Sequence, residues 1–289
     1  MHKKITKSIL SHNNGMNLYR GCTHGCIYCD SRSNKYNINH PFNDIEVKSN
    51  AISLLRKELH NRKEACMIAT GSMTDPYLPL EKQLQYTRKS MQLAYKYGYG
   101  FTCITKSDLI LRDIDLLEKI NNKTKAVVQM TLTSMDDKTS QIIEPHVSPT
   151  TRRIEVLEKL NERNIPTIVW LCPILPYITD TPENINGIIE ACKEANVKGI
   201  ICFGMGLTLR DKNREYYYKK LDQHYPGLKQ KYIKQYKNSY HIESPHKEEL
   251  MKIFKTKTSK AGILNNSEEI FKYLHTFPRK DKTVQTKLF

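Results

Sequence analysis

The sequence predicts an α/β protein, an open, partial (β/α)6 barrel of the TIM type followed by a C-terminal helical extension. Three observations predict it. Six short β-type runs alternate with segments of helical apolar spacing, the pattern of parallel strands joined by right-handed crossovers. Six such units are too few to close the usual eight-stranded barrel. The length, 289 residues, suits one large α/β domain with a short extension better than two equal domains.

In chain order, a short strand is expected near Asn17–Arg20, and a helix over Ile45–His60, where Ile52, Leu55 and Leu59 fall at helical spacing. A strand at Ala65–Thr70 is closed by the polar run Gly71-Ser72-Met73-Thr74-Asp75-Pro76. A helix over residues 80–97 leads to a strand at Gly100–Thr105, then to a helix over Asp108–Ile120 with Asp113 and Asp115 in its early part. The strand Ala126–Thr133 puts Val128, Met130 and Leu132 on one face, and Gln129, Thr131 and Thr133 on the other. A helix over Thr150–Arg163 and a strand at Pro166–Cys172 follow. The last unit is a helix over Pro182–Ala195, with proline at its start, and a strand at Val197–Phe203.

Composition excludes whole classes. A chain that is 39% hydrophobic, with 12 Gly and 12 Pro, is neither collagenous, nor disordered, nor a disulfide-stapled miniprotein. The start, MHKKITKSIL, lacks the apolar stretch of a signal peptide. The greasiest stretch, IPTIVWLCPILPYI, is broken by three prolines and is too short to span a bilayer. A cytoplasmic protein with no membrane partner is expected. The 46 Lys+Arg against 30 Asp+Glu leave 46 − 30 = +16. Such an excess suits phosphate contacts, but a compositional bias toward Lys, Asn, Ile and Tyr explains it equally well. Residues 211–289 carry 18 − 9 = +9 of it, with seven tyrosines between Tyr216 and Tyr240. Interleaved rings and lysines suit a base-stacking surface. The i, i+4 spacing of Tyr232 and Tyr236, with Ile233 alongside, favours a packed helix face instead. The extension (211–289) is expected to close the open side of the core (1–210).

Eight cysteines divide into two groups. Cys66, Cys103, Cys172 and Cys202 lie in β-type runs and Cys192 in a helical pattern, which reads as packing. Cys22, Cys26 and Cys29 differ: they are spaced C-x3-C-x2-C in one polar, glycine-containing loop. Thiolates this close are soft ligands for zinc or for an iron–sulfur cluster. A structural zinc needs four closed ligands, and no second C-x2-C or H-x3-H appears downstream. Three cysteines better suit a cubane, holding three irons and leaving a fourth open to substrate; the zinc loop stays as the alternative.

This loop, with Tyr28 just before the third cysteine, resembles the cluster motif of the radical S-adenosylmethionine (SAM) enzymes. The resemblance implies a [4Fe-4S] cluster on Cys22, Cys26 and Cys29. Its open iron would chelate SAM, and one electron would cleave the S–C5′ bond to a 5′-deoxyadenosyl radical. It also implies the partial barrel as the radical SAM core, and a flavodoxin- or ferredoxin-type reductant as partner.

Further pieces occur in order across residues 16–207: Ser72-Met73-Thr74-Asp75, Thr105-Lys106, Glu144-Pro145 with Arg153 nine residues after Glu144, and Pro173-Ile174. Together they resemble the spore photoproduct lyase-like branch, the group often labelled DNA repair photolyases. The resemblance places Tyr28 and Ile174 near the adenine. Residues around Ser72 and Asp75 would meet the methionine amino group, with Lys106 near the carboxylate. Thr131 or Thr133 would contact the ribose, and Glu144 and Arg153 would brace the pocket. Read alone, Lys106 is an ordinary loop lysine, and Glu144 and Arg153 are a helix cap with solvated charges. The chain departs from the branch where a hydrogen-donating cysteine is expected, since that position holds serine in Gly71-Ser72-Met73. Cys172, beside Pro173, is the best-placed substitute donor, against a plain packing role. The expected activity is a radical SAM reaction of the lyase-like kind on a nucleic acid or another macromolecule, other than the spore thymine dimer. A radical SAM maturase of a protein or peptide is the second enzymatic reading, and a zinc- or nucleic-acid-binding module the non-enzymatic one.

Overall fold

A computed structural model describes residues 1–278; Arg279, Lys280, Lys282 and Lys287 of the basic extension lie outside the described residues. The chain begins with β1 (His2–Lys4) and then β2 (Gly15–Met16), the first strand of the main sheet. Strand β3 (Tyr19–Arg20) leaves that sheet and pairs antiparallel with β4 (Glu46–Lys48), against which β1 also lies. The strand expected at Asn17–Arg20 is thus displaced. Its barrel segment lies two residues earlier, and Tyr19 is drawn aside by a hydrogen bond from its hydroxyl to the buried Glu81. The helix expected from Ile45 begins only at α1 (Ala51–Asn61), because Glu46–Lys48 are held as the middle strand of the side sheet.

Next come β5 (Met67–Thr70), α2 (Glu81–Leu84) and α3 (Tyr86–Tyr97). The single helix expected over 80–97 is broken at Gln85, whose φ is 54°. The Glu81 carboxylate accepts hydrogen bonds from the backbone N–H of Tyr86 and Thr87, so it caps the second piece from inside the core. After β6 (Gly100–Thr105), residues Asp108–Asp113 form a 3-10 turn before α4 (Ile114–Lys123) and β7 (Ala126–Thr131). An unforeseen helix, α5 (Asp137–Ile143), is capped by the Asp136 carboxylate. Then follow α6 (Thr150–Glu162), β8 (Thr167–Trp170), α7 (Pro182–Glu194) and β9 (Gly199–Ile201). The main sheet runs β2-β5-β6-β7-β8-β9, all parallel, as the alternating pattern predicts.

The last part of the chain is woven into the core. Strand β10 (Gly206–Thr208) precedes α8 (Asn213–His224) and α9 (Leu228–Tyr236), and pairs antiparallel with β11 (His241–Glu243). Helix α10 (Lys247–Lys260) packs on α7, and Leu264 bridges to the edge strand at Gly199. From α11 (Ser267–His275), Ile270 and Leu274 bury against Val127, Ile168 and Ile201. These strand residues share the face that Gln129 and Trp170 present, so α11 covers the inner side of the open sheet. Tyr232 is fully buried, donating to the Pro176 carbonyl at 2.8 Å, which agrees with the packed-helix reading. Ile233 does not share that face; it is exposed, one residue round the helix.

Candidate active site

The cysteine loop is held from both sides. Gly21 sits at φ +84° against the Pro41–Asp44 turn, where a Cβ would lie 2.6 Å from the Phe42 carbonyl oxygen. The Cys22 N–H donates to that same oxygen at 2.8 Å. On the other side, the Ile27 N–H donates to Ile143 O at 2.9 Å and the His146 N–H to His24 O at 3.1 Å. From the extension, the Asn213 side chain donates to the Tyr28 carbonyl at 3.3 Å, and Arg210 pairs with Asp30 at 3.1 Å.

Cys22 and Cys26 are buried and Cys29 is partly open. Burial pushes the Cys22 thiol up to about 12, with Cys29 adding to it, and burial likewise raises Cys26. Thiols so placed ionise when a cation binds them. Among the described residues, only His2, His40 and Asp44 bring three potential metal-ligating atoms within 4.8 Å of one another. The three loop sulfurs do not all lie within 4.8 Å of one another, whereas a tetrahedral zinc with 2.3 Å bonds would hold them ~3.8 Å apart. Nor does His24 supply a closing ligand, since its ring is buried with Nδ1 3.4 Å from Asp75. The donor set fits a multi-iron cluster, whose corners stand further apart.

Beside the loop, the C-terminal ends of β5, β6, β7, β8 and β9 surround a cavity of about 500 Å3. Of the residues singled out from the sequence, Tyr28, Cys29, Ser72, Lys106, Thr131 and Cys172 line it. Strands β8 and β9 end earlier than expected, and the freed stretches, including Cys172 and Phe203, become cavity wall. Strands β10 and β11 supply further wall, with Thr208, His241 and Glu243.

Residues 16–185 match the family model described as the Radical SAM superfamily. The chain belongs to the radical SAM superfamily. An uncharacterized protein of Mycobacterium tuberculosis is 26% identical over 243 residues, covering 81% of this chain and 70% of the relative. An uncharacterized protein of Acidianus two-tailed virus is 29% identical over 215 residues, covering 70% and 69%. Spore photoproduct lyase, solved in complex with dinucleoside spore photoproduct, superposes with a TM-score of 0.65. That match has 12% identity and covers 91% of this chain and 80% of the other, which establishes a shared fold. The radical SAM superfamily implies an enzyme, a [4Fe-4S] cluster and SAM, so the reading as a non-enzymatic binding module is set aside. Among the described residues no helix is long and apolar enough to cross a membrane.

Several expected radical SAM site residues stand behind the cavity instead of on its wall. Asp75 accepts from the Lys106 N–H, the Thr105 hydroxyl and the Tyr77 N–H, each at 2.8 Å. It positions the β6 end from within. Ile174 is fully buried in the main core and its N–H donates to Gly206 O at 3.1 Å. Thr133 is also fully buried, its hydroxyl 3.4 Å from Glu144. Glu144 and Arg153 are wholly enclosed, which corrects their reading as a cap with solvated charges. The Arg153 guanidinium donates to Thr131 O, Ser148 O and Ser140 Oγ, each at 2.8 Å, and to Glu144. Glu144 in turn accepts from the Tyr28 hydroxyl. Burial would raise the Glu144 carboxyl, but Arg153 and Lys106 outweigh it and hold it below the usual range. Burial would lower the Lys106 ammonium, yet Cys26, Glu144 and Asp75 move it up overall, so it stays charged. Among the described residues, Lys106 Nζ donates no hydrogen bond.

Sequence reasoning missed the aromatic part of the wall. The indole N–H of Trp170 donates to Gln129 at 2.8 Å, and Gln129 donates to Thr102 at 2.8 Å, a polar chain across the inner face of three strands. Phe203 is 64% exposed at the cavity, edge-on to Trp170 and stacked on Phe271. The alternation that selected Thr131 also places Trp170 on the same face, a signal that was available. Nothing in the spacing of residues 206–208 and 241–243 announces the wall they form.

Proposed function

We propose that this radical SAM enzyme binds a [4Fe-4S] cluster through Cys22, Cys26 and Cys29 and cleaves SAM reductively beside it. The single observation that carries this reading is the Lys106 ammonium, charged and without a hydrogen bond among the described residues, on the wall of the cavity that Cys29 also lines. A partly buried cation facing that cavity suits an anionic ligand group, and the methionyl carboxylate of SAM supplies one. The bound cluster would supply one electron to the S–C5′ bond, releasing methionine and the 5′-deoxyadenosyl radical. Ser72 would accept from the methionyl amino group, Thr131 would contact the ribose, and Tyr28 would face the adenosyl moiety. Asp75, Thr133, Glu144, Arg153 and Ile174 act behind this wall as positioning and packing residues.

The substrate we propose is a nucleic acid or another macromolecule with a planar group. The exposed face of Phe203, backed by Phe271 and Trp170, offers a stacking platform where such a group would meet the radical. Ser72 lies on the cavity wall where the branch carries its cysteine, and an O–H bond is too strong to give a hydrogen atom to a carbon radical. Cys172, a thiol on the same wall, takes that role. The S–H bond breaks as the product C–H bond forms, and an electron and a proton from a flavodoxin- or ferredoxin-type reductant restore the thiol. Such a reductant places the enzyme in the cytoplasm, where eight unpaired cysteines are also at home. The extension serves the core by covering its open inner face.

The test is anaerobic reconstitution of the enzyme, followed by dithionite and SAM. Wild type should release 5′-deoxyadenosine, and Lys106→Met should bind SAM more weakly while keeping its iron. A colourless protein with no 5′-deoxyadenosine would overturn the proposal. Repair of the spore thymine dimer in lesion-bearing DNA would overturn the substrate part alone.

A further inference from the structure

We propose that His2, His40 and Asp44 form a second metal site, for a divalent transition ion of the zinc class, outside the cavity. One ligand atom from each of the three lies within 4.8 Å of the others. The donors are two imidazoles and a carboxylate, a nitrogen–oxygen set of the kind zinc takes at 2.0–2.2 Å.

Two details point to a ligand. His40 Nδ1 lies 3.0 Å from the Pro41 carbonyl oxygen, which selects the tautomer protonated at Nδ1. Its Nε2 is then a bare lone pair. That nitrogen is shielded from solvent and has no hydrogen-bond partner among the described residues. Burying an acceptor this way is unfavourable unless something binds it. His2 is arranged in complement. Its Nδ1 lies 2.9 Å from Asp44 Oδ2, and its Nε2 faces Glu46 Oε2 at 3.8 Å. A metal held by Nδ1 and Oδ2 would leave the His2 Nε2–H directed at the Glu46 carboxylate, the outer partner that metal-bound histidines usually have. The two rings meet edge to face, 4.7 Å between centroids. The His2 and Asp44 side chains are 40% and 35% exposed, so water can reach the remaining coordination position. Two cations compete for the acids: the Met1 amino group at 2.6 Å from Asp44 and Lys4 at 3.1 Å from Glu46.

Such an ion would tie β1 to the Pro41–Asp44 turn. That turn carries the Phe42 carbonyl that accepts from the Cys22 N–H. The site therefore clamps the outer support of the cysteine loop, and its ligands are independent of the thiols.

The experiment uses untagged reconstituted enzyme, loaded with zinc(II), desalted anaerobically and assayed for zinc and iron together. Wild type should retain one zinc per chain beyond its cluster iron. Loss of an outer partner costs roughly 10–100-fold in metal affinity, so loss of a ligand in His40→Gln or Asp44→Asn should weaken zinc binding by ~100-fold or more. Both variants should keep wild-type iron. A Cys22→Ser/Cys26→Ser/Cys29→Ser variant should still retain the one zinc, which separates this site from zinc captured by the thiols. Zinc lost from wild type on desalting, or retained equally by His40→Gln and Asp44→Asn, would overturn the proposal.

Discussion

Arg153→Met tests the enclosed ion pair behind the cavity. The guanidinium is fully buried and makes four hydrogen bonds, to Thr131 O, Ser148 O, Ser140 Oγ and Glu144. Methionine keeps most of the volume and none of the donors. Glu144 would be left as a buried carboxylate with only the Tyr28 and Thr133 hydroxyls as hydrogen-bond partners. Stranding one member of a buried pair costs about 3–5 kcal/mol. With a urea m-value of about 3 kcal/mol/M, the unfolding midpoint should fall by ~1–1.7 M. Trp170 is the single tryptophan, and its indole reports from the inner face of β8. Its fluorescence during urea unfolding of the cluster-free protein is the assay. A companion variant, Glu144→Leu/Arg153→Met, removes both charges together. It should be more stable than Arg153→Met by about 2 kcal/mol, because apolar replacement of a whole buried pair is often neutral. The gain stops short of full recovery because the Tyr28 hydroxyl loses its acceptor. A loss below ~1 kcal/mol for Arg153→Met, the scale of an exposed pair, would refute the reasoning. So would singles whose effects simply add in the double variant.

Serine at Cys22, Cys26 or Cys29 should abolish iron incorporation and 5′-deoxyadenosine release, measured by iron assay and chromatography. Cys192→Ser, on the buried face of α7, should leave both in place. Gly71→Ala should lower the melting temperature and SAM affinity together, because Gly71 sits at φ +101° and an added Cβ would lie 2.2 Å from Ile104 O on the cavity rim. Burial alone would raise the Asp108 carboxyl, but Arg152 and Ser148 hold it below the usual carboxylate range. Its contribution to stability is therefore present above the unfolded value of about 3.9 and lost as pH falls through the folded one. The stability gap between wild type and Asp108→Asn should accordingly shrink below pH ~4 in urea titrations.

The legible parts of this protein are those where one local property excludes the alternatives. Three thiols in a polar loop have no packing explanation, so Cys22, Cys26 and Cys29 stood out before any fold was known. Buried parallel strands read as short, mostly apolar β-type runs between helical patterns, so the main-sheet strands from β5 to β9 lie close to where the sequence predicts them. What sequence alone left unresolved depends on which element covers which face. Glu144 and Arg153 each look like ordinary helix-end charges, and only the closure of α5 onto α6 encloses them as a pair. Nothing in the sequence singles out Glu81, yet folding turns it inward to cap α3 and receive the Tyr19 hydroxyl. Phe203 and Ile233 show the converse. Periodicity marks both as apolar positions of regular elements, but among the described residues Ile233 is left exposed and Phe203 faces the cavity. An apolar residue exposed on a surface helix is unremarkable. One exposed at the strand ends of a radical SAM barrel, backed by two further rings, carries information, because nothing in the fold requires it there. That contrast, which depends on location and not on residue type, is the reason the proposed substrate contact is put at Phe203.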